Sequence, residues 1–267
     1  MLLKSIYRTH KRYLYNFEKR TSSSTQAYTF ITDTIHLLRF VLDQDRVKTD
    51  IEKVTAVAKY KYPENRTELR AFLGLAMYYR QFIKDFAIIT APLNKLLCKN
   101  EPFRMGMPQL YAMLEIKFLL STEPVLATPD WTKMFTLYTD ASARGLGAVL
   151  SQQDNQGRER VILYQSRAMN KTESNYGPTK LKYLAVVWAV KKLRYYLIER
   201  YFKVVTDHSA LKWLFDTKDP HGMIARWIVV LQEYDMKIKY HKGSMNQNAD
   251  ALSRAPLPNG AQGGAEQ

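Results

Sequence analysis

The chain has 267 residues, 46% of them apolar, with 40 Lys and Arg against 25 Asp and Glu for a formal net charge of +15. That length accommodates one large or two modest domains with a real core, and the composition excludes a disordered chain. A single cysteine, Cys98, excludes a disulfide framework or a cysteine-based zinc site, and the lack of any long apolar run excludes a membrane span or a secretory signal, so the expected location is intracellular, not secreted and without membrane attachment.

The charge points to a polyanionic partner, most often nucleic acid, against the plainer reading of a generally basic soluble protein. Residues 1–128 and 129–255 each carry 20 basic and 12 acidic side chains. Positive charge spread over both halves fits a long binding surface better than a basic arm.

Residues 1–30 mix basic and aromatic residues without a pattern and read as a weakly ordered lead-in. Short apolar runs from Tyr28 to Val47 read as strands, with a turn near Asp43–Asp45. From Asn65 to Leu97 the period is helical, with Thr67 as the expected cap of a first helix and Thr90 to Leu97 as a second. Tyr78, Tyr79 and Phe82 are expected in the core. A further helix is expected over Gln109 to Leu120, and Pro129-Asp130 reads as a linker or turn.

Beyond it the pattern changes. Residues 135–139 alternate as a strand, 148–151 read as its neighbour with Gly145 and Gly147 in the turn, and 160–165 read as a third strand. A long helix is expected over Thr179 to Leu197, then a strand over 202–206 and a short helix over Ser209 to Phe215. A helix over Ile224 to Tyr234, a strand over 236–240 and a final helix from Asn248 to Arg254 complete the order. Three strands, a helix, a strand, helices, a strand and a helix describe an α/β fold with a mixed sheet.

Three aspartates stand beside small residues at the ends of these elements: Asp140 in Thr-Asp-Ala-Ser, Asp207 in Thr-Asp-His-Ser and Asp250 in Asn-Ala-Asp-Ala. A carboxylate cluster is what hard cations such as Mg²⁺ need, and two such ions can clamp a phosphodiester. The plainer reading makes the three aspartates caps and turn residues.

The strings TDASARGLGAVLSQ, ILYQSR, NYGPTKLKYLAVVWAV, FKVVTDHSALKWL and ARWIVVLQEYDMKIKYHKGSMNQNADALSR closely resemble, in order and spacing, the ribonuclease H domain of the Ty3/gypsy-type retrotransposon Pol polyprotein. The earlier strings ELRAFLGLAMYYRQFIKDFAIITAPLNKLL and TEPVLATPDW resemble the thumb/connection segment that follows the polymerase palm of the same polyprotein. LLRFVLDQDRVKTDIEKV resembles the end of that palm. The resemblance implies an RNase H-like mixed five-stranded sheet with flanking helices over 129–255, preceded by a small helical thumb/connection region over 51–128. It leaves a lead-in with a palm remnant over 1–50 and a flexible tail over 256–267.

The implied activity is cleavage of RNA in an RNA–DNA hybrid by two Mg²⁺ or Mn²⁺ ions held by four carboxylates. Carried over by position, Asp140, Asp207 and Asp250 are the catalytic and metal-binding aspartates. The implied partners are an RNA–DNA hybrid or other nucleic acid and the rest of a Pol polyprotein. The fourth carboxylate is lost. The family's Glu-x-Leu-Ala string is here Lys182-Tyr183-Leu184-Ala185, the acid that often stands two residues earlier is Lys180, and no Asp or Glu occurs from Ser174 to Ile198. Glu173 is too far along the chain to substitute.

An ammonium at position 182 either sits between Asp140 and Asp207 as a salt bridge without metal or turns its amine to solvent and leaves a weakened three-aspartate site. Both arrangements predict impaired cleavage, with a catalytically dead hybrid-binding remnant as the alternative to a weakly active nuclease. An integrase or transposase nuclease would share the fold, but the order of the strings and the closing Asn-Ala-Asp helix argue against it.

The family's Trp and Phe in the connecting segment are replaced by Met105 and Met113. No Asp-Asp pair occurs, so no polymerase site is expected in this chain, which reads as a fragment of a decaying or truncated element. His241 and His208 are accessory candidates against plain loop and turn roles. Arg167, Lys171, Lys191, Lys192 and Arg194 are candidate phosphate contacts against plain solvated charges. Trp188 and Trp213 are expected in the core, and Trp227 in the core or, alternatively, on a hybrid-binding face.

Overall fold

The computed structural model describes residues 34–37, 40–43, 46–49, 51–122, 125–207 and 222–240. The lead-in, the expected helices over 209–215 and 248–254, the tail, and His208, Trp213, His241 and Asp250 lie outside the described residues.

Strands β1 (Thr34–Leu37), β2 (Phe40–Asp43) and β3 (Arg46–Thr49) form an antiparallel meander, and β4 (Val125–Ala127) joins it against β3. Between β3 and β4 lie helices α1 (Ile51–Ala58), α2 (Arg66–Met77), α3 (Phe86–Ile89), α4 (Ala91–Lys95) and α5 (Met107–Ser121).

The cap of α2 is Asn65 and not Thr67: its side chain accepts from the Glu68 N–H at 3.0 Å, and the Glu68 carboxylate returns to Asn65 Nδ2 and the Glu64 N–H. Tyr79 and Phe82 are buried as expected, but Tyr78 is exposed, because the chain leaves α2 there and turns only one of the adjacent rings inward. The helix expected over 90–97 is the short α4, which ends at Lys95, and a second short helix, α3, precedes it. Thr90 divides them, its hydroxyl donating to the Phe86 carbonyl at 2.8 Å. Helix α5 is apolar on two sides: Ala112, Met113, Ile116 and Leu120 are buried, whereas Met107, Tyr111, Leu114 and Phe118 are exposed.

The second sheet has five strands in the order β7-β6-β5-β8-β9. Strands β5 (Phe135–Ala141), β6 (Gly145–Gln153) and β7 (Glu159–Ala168) pair antiparallel; β8 (Phe202–Thr206) lies parallel to β5, and β9 (Met236–Tyr240) lies parallel to β8. Helix α6 (Pro178–Lys192), the short α7 (Arg194–Leu197) and α8 (Gly222–Gln232) supply the helical layer. Phe135, Leu137, Leu150, Ala185, Val186, Ala189, Val190, Phe202, Val204, Trp227 and Leu231 form its shared core. The helix expected over 179–197 breaks at Leu193, whose φ of −103° and ψ of 14° leave the helical range and end α6 before α7 restarts and buries Leu197. No helix among the described residues is long and apolar enough to cross a membrane.

Gly145 closes the expected turn, which is formed by 142–145 with Ser142 and Gly145 exchanging backbone hydrogen bonds, and is also the first residue of β6; Gly147 lies beyond the turn, as the third residue of β6. Close approach explains the glycines. A Cβ on Gly145 would lie 2.6 Å from the Arg167 carbonyl oxygen and 3.1 Å from Ile88, and one on Gly147 would lie 2.7 Å from Asp85 Oδ1. The segment around α3 therefore sits directly on the sheet, fixed there by the Ala87 N–H donating to Ser166 Oγ at 2.9 Å.

Gly145→Ala should lower stability by about 1–3 kcal/mol, since the obstacle is a neighbouring strand's backbone. Gly74→Ala, exposed inside α2 with nothing within 4 Å of the added carbon, should raise it by about 0.5–1 kcal/mol. Urea unfolding of the two variants checks both signs; a neutral Gly145→Ala would contradict the close-approach account.

Candidate active site

The site begins with the parallel register of β5 and β8. Tyr138 lies opposite Val205, so two residues further along each strand Asp140 and Asp207 stand side by side at the carboxyl ends. Both follow a buried threonine, Thr139 and Thr206, and the alternation of a strand turns each aspartate away from that interior.

Helix α6 brings the third group. Ala185, Val186 and Ala189 are fully buried, and Lys182 stands three, four and seven residues before them on the same stripe. Its side chain therefore runs toward the sheet and is only 13% exposed, against 65% for Asp140 and 32% for Asp207. Lys182 Nζ donates to Asp140 Oδ1 at 2.6 Å and to Asp207 Oδ2 at 2.9 Å. Asp207 Oδ1 is also 2.8 Å from Nζ, but buried and not aligned as a hydrogen bond. Asp140 Oδ1 accepts a further bond from the Ala141 N–H at 2.8 Å. Of the two arrangements open from sequence, the ammonium adopts the bridging one and does not turn to solvent.

Burial alone would lower the Lys182 pKa, but the hydrogen bonds and charges of Asp140 and Asp207 outweigh it and hold it above the ordinary lysine value. The group is therefore an ammonium at neutral pH, with one positive charge set between two negative ones.

This donor set does not fit the two-ion centre that the resemblance implies. A hard divalent cation needs oxygen ligands converging on one point. Here the point between the two carboxylates is taken by a cation covalently attached to the protein. Among the described residues, no group of three or more His, Cys, Asp and Glu could hold a metal ion.

The remaining candidates are dispersed. Arg167 is engaged: Nη1 and Nη2 meet the Glu173 carboxylate at 2.5 and 2.8 Å, and the guanidinium lies 5.8 Å from the Trp188 ring centre. These bonds hold the Glu173 pKa below the ordinary carboxylate range against its partial burial, so Glu173 is the structural partner of Arg167. Arg194 pairs with Glu233 at 2.7 Å. Lys171 is exposed, as are Lys191 and Lys192 in the last turn of α6. Trp227 is buried in the core, and Trp188 is partly buried against it.

Two features went unread in the sequence. One is the Arg167–Glu173 clasp, whose partners lie in different elements, Arg167 on β7 and Glu173 in the helical turn after it, so that no single period relates them. The other is the cluster in which Ser151 Oγ meets Glu159 at 2.5 Å and burial, then Glu159, push the Tyr138 hydroxyl pKa up. Strand pairing alone creates it.

Residues 130–234 match the RNase H-like domain found in reverse transcriptase. The chain is 39% identical over 229 residues to the retrovirus-related Pol polyprotein from transposon 297 of Drosophila melanogaster, an alignment covering 85% of this chain and 21% of that protein. It is 37% identical over 241 residues to the Pol polyprotein from transposon gypsy of the same organism, covering 85% and 23%. To the transposon Tf2-3 polyprotein of Schizosaccharomyces pombe it is 38% identical over 208 residues, covering 76% and 16%. The chain thus spans about a fifth of the length of these curated relatives. Among solved structures, the foamy viral protease-reverse transcriptase in complex with RNA/DNA hybrid shares the fold, with a TM-score of 0.66 and 18% identity over 89% of this chain and 32% of that one.

Because the Lys182 pKa is raised, its ion-pair contribution to stability is fully present below the unfolded lysine value of about 10.4 and is lost as pH rises through the folded value. Lys182→Met should cost about 1–3 kcal/mol at neutral pH, because it leaves two facing carboxylates without a counter-charge. Thermal unfolding of both proteins from pH 4 to 11 checks this; identical profiles would contradict it.

Proposed function

Since the chain belongs, through residues 130–234, to the RNase H-like domain family found in reverse transcriptase, and is related over most of its length to Ty3/gypsy-type Pol polyproteins, we propose that it is a retrotransposon-type module that binds RNA–DNA hybrids and whose hydrolytic activity is impaired. Nucleic-acid hydrolysis with divalent metals is the activity of the family at large. The observation that carries the impairment is the Lys182 ammonium between Asp140 and Asp207. In a two-ion mechanism the carboxylates must be free to hold the ions that activate water and stabilise the leaving oxygen. A tethered cation satisfies those carboxylates without offering a site for water or phosphate oxygen.

Binding makes weaker demands. A-form duplexes are recognised by shape and by phosphate contacts. The net charge of +15 supplies the attraction, and Lys171, Lys191 and Lys192 are the exposed candidates for individual contacts. Arg167 and Arg194, held by Glu173 and Glu233, are positioned by those acids instead. The foamy viral relative in fold was solved with an RNA/DNA hybrid, which supports the same ligand class here.

A labelled RNA–DNA hybrid incubated with the purified chain and Mg²⁺ or Mn²⁺ tests the proposal. The expected result is salt-sensitive binding with cleavage near background, and a gain of at least about 100-fold in cleavage rate in Lys182→Glu. Cleavage by the unaltered chain that is lost in Asp140→Asn would contradict the impairment. Failure to bind the hybrid at low salt would contradict the function.

A further inference from the structure

We infer that Lys182 is a built-in replacement for the metal: its ammonium is the resident cation of the site, holding together the ends of β5 and β8 and the first turns of α6, and it makes the chain indifferent to divalent ions. This rests on the family assignment of the site but concerns ion binding and architecture, not hydrolysis.

Three observations carry it. First, the ammonium contacts carboxylates from two different strands, Asp140 on β5 and Asp207 just beyond β8, while its own backbone belongs to α6. It therefore joins three elements at one point, as a bound ion would. Second, it cannot easily withdraw. Lys182 lies on the stripe of α6 that continues into Ala185, Val186 and Ala189, all buried, and its side chain is only 13% exposed. Turning outward would break two charge-assisted bonds and leave Asp207 partly buried without its counter-charge. Third, the charge balance is changed by two units. A glutamate at this position would add a negative charge where a positive one now stands, and at such short range each unit strongly affects a divalent ion.

The physical consequence is a site that keeps its shape in a chelator. Where carboxylates alone converge, they repel until an ion arrives, so the ion stabilises the fold by mass action. Here the counter-charge is covalent, present at unit stoichiometry and insensitive to ion concentration. Hybrid binding by this chain should likewise be the same in EDTA and in Mg²⁺ of matched ionic strength.

The test is titration of the intact chain with MnCl₂ and MgCl₂ at neutral pH, read by thermal unfolding and calorimetry, beside Lys182→Glu, Lys182→Gln and Lys182→Glu/Asp140→Asn. The unaltered chain should show no saturable Mn²⁺ binding and no change in Tm between EDTA and Mn²⁺. Lys182→Glu should bind Mn²⁺ at least about 100-fold more tightly and gain Tm with it, and the added Asp140→Asn should remove the gain. Should Lys182→Glu fail to fold without metal and fold with it, the same conclusion holds. Lys182→Gln, which removes the positive charge without adding a negative one, should bind Mn²⁺ with intermediate affinity. Saturable Mn²⁺ binding by the unaltered chain that Asp140→Asn abolishes would overturn the inference, as would equal Mn²⁺ affinity in all variants. These readouts use no nucleic acid, so loss of hybrid binding, which would overturn the proposed function, remains a separate result.

Discussion

The contact on which the site depends is that between one ammonium and two carboxylates. Parallel pairing of β5 and β8 sets Asp140 beside Asp207, and two like charges at that spacing need a counter-charge. The chain supplies it from α6 through Lys182. The ammonium satisfies the electrostatics of the two strand ends and occupies the point between the two carboxylates.

The scaffold around the contact is tightly fixed. Strand β6 is buried on both faces from Gly145 to Gln152, with the helical layer on one side and the segment around α3 on the other. Gly145 and Gly147 allow that second cover to reach the sheet. Gln152, buried, donates to the Asp130 and Lys133 carbonyls and accepts from the Asp130 N–H, which anchors the start of β5. The strand that carries Asp140 is thus held at its entrance by Gln152 and beside its exit by Lys182.

Much of the five-stranded sheet was readable from residue order. Alternation located β5 and β9 to within two residues, and the short apolar run over 202–206 located β8, which is buried at Val204, Val205 and Thr206 in succession. The errors have physical reasons. Gly145 does close the turn, but Gly147 lies beyond it in β6, and the need for glycine at both positions depends on Arg167 and Asp85, which no local pattern reveals. Thr67 looked like a cap, but Asn65 wins because Glu68 answers it from three residues on. The end of α6 at Leu193 has no local signal, since leucine suits a helix and the break lies in its backbone angles. At the site, the family strings located Asp140, Asp207 and Lys182. Spacing alone could not decide whether the amine turned in or out; that follows from the buried stripe through Ala185, Val186 and Ala189. Arg167 and Arg194 read as free cations because their acids, Glu173 and Glu233, come to them through tertiary structure.

The most direct measurement is a crystal structure of the chain grown in excess Mn²⁺, with anomalous scattering recorded at the manganese edge. The account predicts Lys182 Nζ within hydrogen-bonding distance of Asp140 and Asp207 and no anomalous peak between them. A manganese peak between those carboxylates, with the Lys182 side chain turned to solvent, would contradict it.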